Sequence, residues 1–411
     1  MYGMSFLLLV LGIVLFIGLV VVHELGHFIV ARRNGVVAEE FGIFFPPALI
    51  KKKTKSGLVL SLNALPLGGF VRLRGEHDAD TEKGSFGAAS VWVKTKIMVA
   101  GVAMNLITAL VLFTIIAVIG MPVLIPNQFK VNSDTKVVSK QLLLTGVQAG
   151  SPADKAGLKS EDLIVAIGVS GQTPTTLKSA SELPALTKKY AGQKVNIYYK
   201  RGGNNYVATT TLLATNVVTT SQKAYVKKVQ SATVDCANIP LPKGYLGVSP
   251  PQEYVVQKSG WSAPVTAVGL SAQMTALTFQ GLGHALAGLG RYGAGLVTGN
   301  SVARQNGQCQ ASSQVTGPIG IFEIFKSGSL LGYQFILFIV AYISLVLAVM
   351  NLLPIPALDG GRLWLMLATR GVKRPLTPEK EELINAIGFF VLIGLMILIT
   401  INDVQNFNIH L

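Results

Sequence analysis

The chain has 411 residues, half of them hydrophobic and 13% charged, with a formal net charge of +15. That length allows two or three domains, and the apolar excess excludes an ordinary soluble enzyme in favour of a membrane protein. The positive charge gathers on no single face of a soluble segment, which excludes a nucleic-acid binder; it lies instead in short loops beside apolar runs.

The first run, Met1 to Val22, carries no charge and is as long as the roughly 20 residues a helix needs to cross the hydrocarbon core. It lacks the basic leader and small-residue cleavage site of a signal peptide, so it reads as a retained helix. It leads directly into His23-Glu24-Leu25-Gly26-His27. On a helix, residues four apart share a face, so His23 and His27 offer two imidazoles to one Zn2+ ion while Glu24 stands beside it as general base. Three ionisable side chains at the edge of a span are costly and mark function. The implied chemistry is hydrolysis, with Glu24 taking a proton from the attacking water and returning it to the leaving amine.

From Ala31 to Lys96 the chain holds eleven Lys or Arg, among them Arg32-Arg33 and Lys51-Lys52-Lys53. Within it, Leu58 to Leu62 reads as a strand, Pro66-Leu67-Gly68-Gly69 as a turn and Phe70 to Arg74 as a second strand. Phe70, Val71 and Arg72 then lie on a hairpin beside the metal motif. Its edge would hold a substrate peptide open by main-chain hydrogen bonds, or the hairpin only caps the bundle. Glu76 to Glu82, with four acidic residues and His77, reads as a solvated loop. A second uncharged run, Ile97 to Ile125, contains Gly101, Met104 and Asn105; small residues permit close helix packing, and Asn105 either reaches the active site or, as the favoured reading, bonds a neighbouring helix. Residues 1–125 thus form the first domain.

Residues 135–215 have the composition of a soluble domain. A short helix is expected around Ala153 to Ala156, a strand at Leu163 to Ile167, a helix from Ser179 to Tyr190, and strands at Lys194 to Lys200 and Asn205 to Leu213. Ser151-Pro152-Ala153-Asp154-Lys155-Ala156-Gly157-Leu158, followed by Asp162-Leu163-Ile164, resembles the core of a PDZ domain of the bacterial protease type; Gly168 or Val169 stands where that type carries Asn. Such a domain binds a peptide ligand by strand addition or filters substrates by size, and both uses stay open.

Residues 216–326 form the third region: a polar linker from Asn216 to Lys243, a strand at Gly244 to Val248, and an uncharged stretch from Ala263 to Gly290. Topological parity argues against a crossing there. An amphipathic helix pair on the outer membrane surface is expected, with His284 interfacial rather than a ligand. Cys236 and Cys309 both fall outside the cytoplasm, and whether they form a disulfide stays open.

Residues 327–411 hold the last two uncharged runs, Ser327 to Leu358 and Leu383 to Asn402. The first ends in Asn351-Leu352-Leu353-Pro354-Ile355-Pro356-Ala357-Leu358-Asp359-Gly360-Gly361, where two prolines break the helix at membrane depth; irregular backbone is tolerated there only where protein buries it or water reaches it. Asp359 is the expected third ligand, leaving a fourth position for water; the competing expectation is a helix cap with a Gly-Gly turn. Arg370, Lys373, Arg374 and Lys380 precede the final span. By the positive-inside rule both basic loops are cytoplasmic and both termini extracytoplasmic. The expected fold is a polytopic α-helical membrane protein of four transmembrane helices, with an inserted extracytoplasmic PDZ domain and a cytoplasmic membrane-associated β-hairpin.

The motif order His23-Glu24-Leu25-Gly26-His27, Gly69-Phe70-Val71-Arg72-Leu73, the PDZ signature, Gly317-Pro318-Ile319-Gly320 and Asn351 through Gly361 resembles that of the site-2 protease family of zinc intramembrane proteases, in its regulator-of-sigma-E branch. The resemblance implies a zinc endopeptidase of the bacterial inner membrane that cleaves single-pass membrane proteins, of the anti-sigma-factor or remnant-signal-peptide type. It implies His23, His27 and Asp359 as zinc ligands, Glu24 as the base and Asn351 as a substrate contact near the metal. Two departures are visible: one PDZ signature where some members have two, and Gly101-Val102-Ala103-Met104-Asn105 where Gly-Pro-x-x-Asn is frequent. The rival class is a membrane receptor or holdase with structural zinc. Structural zinc is closed by four protein ligands and has no need of Glu24.

Overall fold

A computed structural model describes residues 2–75, 80–231, 241–249, 252–312, 317–371 and 377–406. In chain order the elements are α1 (Tyr2–Arg33), β1 (Ala38–Lys53), β2 (Val59–Leu73), α2 (Val91–Ile119), β3 (Met121–Val123), β4 (Lys136–Leu143), α3 (Pro152–Lys155), β5 (Leu163–Val169) and β6 (Thr175–Thr176). There follow α4 (Glu182–Lys189), β7 (Lys194–Arg201), β8 (Asn204–Thr211), α5 (Thr215–Ser231), β9 (Gln252–Lys258), α6 (Ala263–Val297), α7 (Ser301–Ser312), α8 (Pro318–Gly328), α9 (Tyr333–Met350), α10 (Asp359–Gly371) and α11 (Pro378–Asn406). Four helical stretches are long and apolar enough to cross a membrane: Phe6–Arg33, Val91–Ile119, Tyr333–Met350 and Glu379–Thr400. The chain divides into two compact units, one of Met1–Leu9 with Ile115–Phe338 and the other of Val10–Thr114 with Ile339–Leu411.

The first unit is built on a seven-stranded sheet ordered β3-β9-β4-β5-β7-β8, with β6 on β5. Alternating apolar residues of β5 and β7 point into one core, where Ile167, Val195 and Ile197 are fully buried together with Leu144; each such side chain stabilises by about 1.5–3 kcal/mol. Strand β9 is flanked on both sides: β4 pairs along Lys136–Leu143, and Met121, Pro122 and Val123 pair with Gln257, Val256 and Val255.

Three expectations in this unit are corrected. The polar stretch expected as a linker forms helix α5 as far as Ser231; among its described side chains only Val218 is deeply buried, so the sequence shows no apolar stripe. Residues 244–248 are not a strand but a bend with one isolated bridge, Val147 to Val248, and the strand is β9. The stretch expected as a helix pair is one continuous helix, α6, whose partner is α7 beyond it. Its glycines do not break it; they let the two backbones approach, since a Cβ at Gly288 would sit 2.5 Å from Ala311 N. His284 lies exposed on α6. Cys236 and any pairing with Cys309, His77 with Glu76, and Lys373 with Arg374 lie outside the described residues.

The second unit contains a small sheet of β1 and β2, and here too the sequence expectation is corrected. Both arms of the expected hairpin belong to β2 and do not pair with each other. Glu40 to Ile43 lies between them, beside Gly69–Arg72 on one side and Val59–Leu62 on the other, while Ala48–Lys53 pairs with Val59–Asn63. Across the sheet the order is therefore 48–53, 59–63, 40–43, 69–73. Residues 69–73 form an edge; among the described residues no strand pairs with its outer side.

Glu40 ties this sheet together. Its nearly buried carboxylate meets Arg72 Nη2 at 2.8 Å and Lys51 Nζ at 3.3 Å. Burial pushes its pKa up, but the Ser61 hydroxyl, Lys51 and Arg72 outweigh burial and hold it below the ordinary 4.5. A depressed carboxyl stabilises the fold above the unfolded pKa and loses that contribution as pH falls through the folded value. Glu40→Gln is therefore expected to cost about 1–2 kcal/mol at pH 7, reduced by the half-exposed cations, and to converge with wild type well below pH 4.5. Hydrogen exchange of the β1 and β2 amides at the two pH values measures it.

Candidate metal centre and active site

Helix α1 runs unbroken through the motif, so His23 and His27 lie one turn apart with ring centroids 4.8 Å from each other. The third member arrives from the far end of the same unit. Helix α9 ends at Met350, and residues 351–358 turn without regular structure before α10 opens at Asp359. Among the backbone bonds that shape that turn are Gly360 N–H to Asn351 O at 2.8 Å, Leu358 N–H to Ile355 O at 3.1 Å and Arg362 N–H to Leu358 O at 3.1 Å. Ala357 takes φ 74°, a left-handed conformation that costs a non-glycine residue about 1–2 kcal/mol. Glycine is required at 361, where a Cβ would lie 2.5 Å from Ile355 C.

Asp359 Oδ2 stands 3.0 Å from His23 Nε2 and 3.0 Å from His27 Nε2, and the two Nε2 atoms are 3.3 Å apart. Tetrahedral zinc with ligand bonds of about 2.0–2.1 Å spaces its donors by roughly 3.3 Å, so this donor set fits the ion in chemistry and in size. Among the described residues the cluster has these three donors, one fewer than a tetrahedral ion takes. His27 Nδ1 donates to Ile97 O at 2.7 Å, which turns the Nε2 lone pair toward the other donors. His23 Nδ1 lies 3.3 Å from the side-chain amide of Asn105.

Two close approaches build this site. A Cβ on Gly26 would lie 2.6 Å from Ala100 O, so α1 and α2 touch backbone to backbone. A Cβ on Gly101 would meet His27 Nε2 and sit 2.6 Å from His23 Cε1, so α2 covers both rings without a side chain between.

On its other side the cluster opens to a cavity of about 370 Å³ lined by Glu24, His27, Asp359, the backbone run Gly69 to Leu73, Phe86, Ile97, Met98 and Arg362. Val71 hydrogen-bonds Glu24 through its backbone, and a Cβ at Gly69 would be 3.2 Å from Glu24 Cγ. His23, Glu24, His27, Asp359, Phe70, Val71 and Arg72 are thus brought to one place. Asn351 is not among the described lining residues; its backbone carbonyl accepts from Gly360 N–H at the start of α10. Arg362 escaped sequence reasoning, although its position three after Asp359 in one helix puts it on the same face. Phe86 carried no signal at all.

The chain resembles known proteins over nearly its whole length. Peptidase family M50 matches residues 11–395. A protein of Clostridium acetobutylicum named as a zinc metalloprotease is 31% identical over 409 residues, covering 98% of both chains. One of Clostridium perfringens with the same kind of name is 29% identical over 398 residues, covering 96% of this chain and 98% of its own. The zinc metalloprotease RasP of Shouchella clausii is 28% identical over 475 residues, covering 96% of this chain and 97% of its own.

Proposed function

The chain belongs to peptidase family M50, the site-2 proteases, and is a zinc metalloprotease; from that premise we infer that it cuts single-pass membrane proteins within or beside their spans, using His23, His27 and Asp359 as zinc ligands and Glu24 as the base. The observation that carries this reading is the cluster of three ligand atoms beside a cavity that Glu24, His27 and Asp359 line together with residues 69–73, an outer segment of the small sheet with which no further strand pairs among the described residues. An extended chain added along that edge places its amide bonds beside Glu24. Zinc, when bound, supplies Lewis acidity to the scissile carbonyl and to water. Glu24 removes a proton from the attacking water and hands it to the leaving nitrogen. Arg72 and Arg362 give the cavity its positive lining. A three-donor set supports catalysis over a closed structural site, and the family sets aside the receptor or holdase.

The four spans and the two basic loops support a multi-pass protein of the bacterial inner membrane with both termini extracytoplasmic. The sheet of the first unit supports the PDZ reading, and of its two uses we favour size screening. The edge of β9 away from β4 is already taken at Val255 to Gln257 by Met121–Val123, which leaves little room for a captured peptide.

The test is reconstitution of the zinc-loaded protein in vesicles with a single-pass protein of anti-sigma-factor type and with a detached remnant signal peptide, followed by mass spectrometry of the products. New termini inside the apolar span are the expected result. Cuts confined to the soluble parts would overturn the substrate assignment.

A further inference from the structure

Asn105 on α2 is fully buried. With its Nδ2 turned to His23 Nδ1 at 3.3 Å, its Oδ1 is left buried without a hydrogen-bond partner. Two things are wrong with that orientation. A buried carbonyl oxygen without a donor costs about 1–3 kcal/mol. An N–H directed at Nδ1 also obliges the neutral ring to carry its own proton on Nε2, the atom that stands 3.0 Å from Asp359 Oδ2 and 3.3 Å from His27 Nε2. A ligating imidazole needs that lone pair free.

The two ends of a carboxamide have the same shape, and rotation by half a turn exchanges them. Oδ1 then accepts from His23 Nδ1–H, the orphaned oxygen gains its donor, and the Nε2 lone pair faces the other donors. His27 already has this arrangement, with Nδ1–H on Ile97 O at 2.7 Å. The helix that carries Asn105 is held at this point as well: Ser344 on α9, itself fully buried, donates to the Asn105 carbonyl at 2.8 Å.

We propose that Asn105 is a positioning residue of the metal centre, whose Oδ1 holds His23 in the tautomer that ligates through Nε2. This rests on the reading of His23 as a ligand. Outer hydrogen bonds of this kind change metal affinity by roughly 10- to 100-fold when removed.

The test is zinc affinity of the full-length protein in detergent, measured by competition with a chromogenic chelator. Asn105→Asp presents only acceptors and is expected to bind zinc at least as tightly as wild type. Asn105→Leu is expected to weaken binding by about 10-fold or more, and Asn105→Ala by a similar factor without any clash that would endanger folding. The proposal is overturned if Asn105→Asp weakens with Asn105→Ala, which would make the donor the functional end, or if Asn105→Ala binds like wild type. His23→Ala separates the two levels of argument. If it binds zinc as wild type does, the ligand assignment itself fails; if it loses zinc while Asn105→Ala keeps it, only the positioning role fails.

Discussion

Glu24→Gln is expected to reduce cleavage by about three orders of magnitude or more while leaving zinc content and fold unchanged. Removal of a positioned acid or base costs about 10²–10⁴ in rate, and in the proposed mechanism one carboxylate serves both proton transfers. Glutamine preserves the volume beside Gly69 and still hydrogen-bonds the Val71 backbone, but it cannot take a proton from water. Among the described residues that line the cavity, the only other carboxylate is Asp359, which lies against both imidazoles, so no second base stands ready among them. The check is a time course of substrate cleavage in vesicles beside metal analysis of the same samples. Residual turnover within tenfold of wild type, at full zinc content, would remove Glu24 from the chemistry.

The second large effect is expected at a residue with no functional group. Gly101→Val introduces carbon where α2 lies directly on the imidazoles, with even the Cβ inside contact distance of both rings. The rings must rotate or the helices must part, and a ligand displaced by 1 Å no longer fits a tetrahedral ion. Zinc stoichiometry should fall below half and cleavage below detection. Gly18 is the comparison, since a Cβ there meets nothing within 4 Å; Gly18→Ala should retain full metal and full rate. Metal analysis of the purified variants decides it, and a fully zinc-loaded Gly101→Val would mean that α2 yields at little cost.

The contrast between these two residues shows what the sequence disclosed. His23, Glu24 and His27 were legible because helical spacing alone sets their geometry, and Asp359 because paired prolines in an uncharged run demand a buried or wetted break. Gly101 and Asn105 depend on which face of α2 meets α1, a contact between residues about eighty apart that no local pattern encodes. The small sheet was misread for a related reason. Residues 38–53 carried no strand expectation, and β1 passes through Pro46-Pro47 where its register shifts between Phe45 and Ala48, which is where a strand tolerates proline. With β1 unread, the two visible arms were joined to each other instead of to the segment between them.

The outer border of the small sheet at residues 69–72 has a further consequence for selectivity. A partner held through amide and carbonyl groups is recognised by its conformation, with its side chains contributing little. If substrates are taken there as proposed, discrimination among membrane proteins depends on how readily each one gives up a turn of helix in lipid: polar or helix-breaking residues within a span are expected to make it vulnerable, and an unbroken leucine-rich span is expected to stay intact even when it reaches the same cavity.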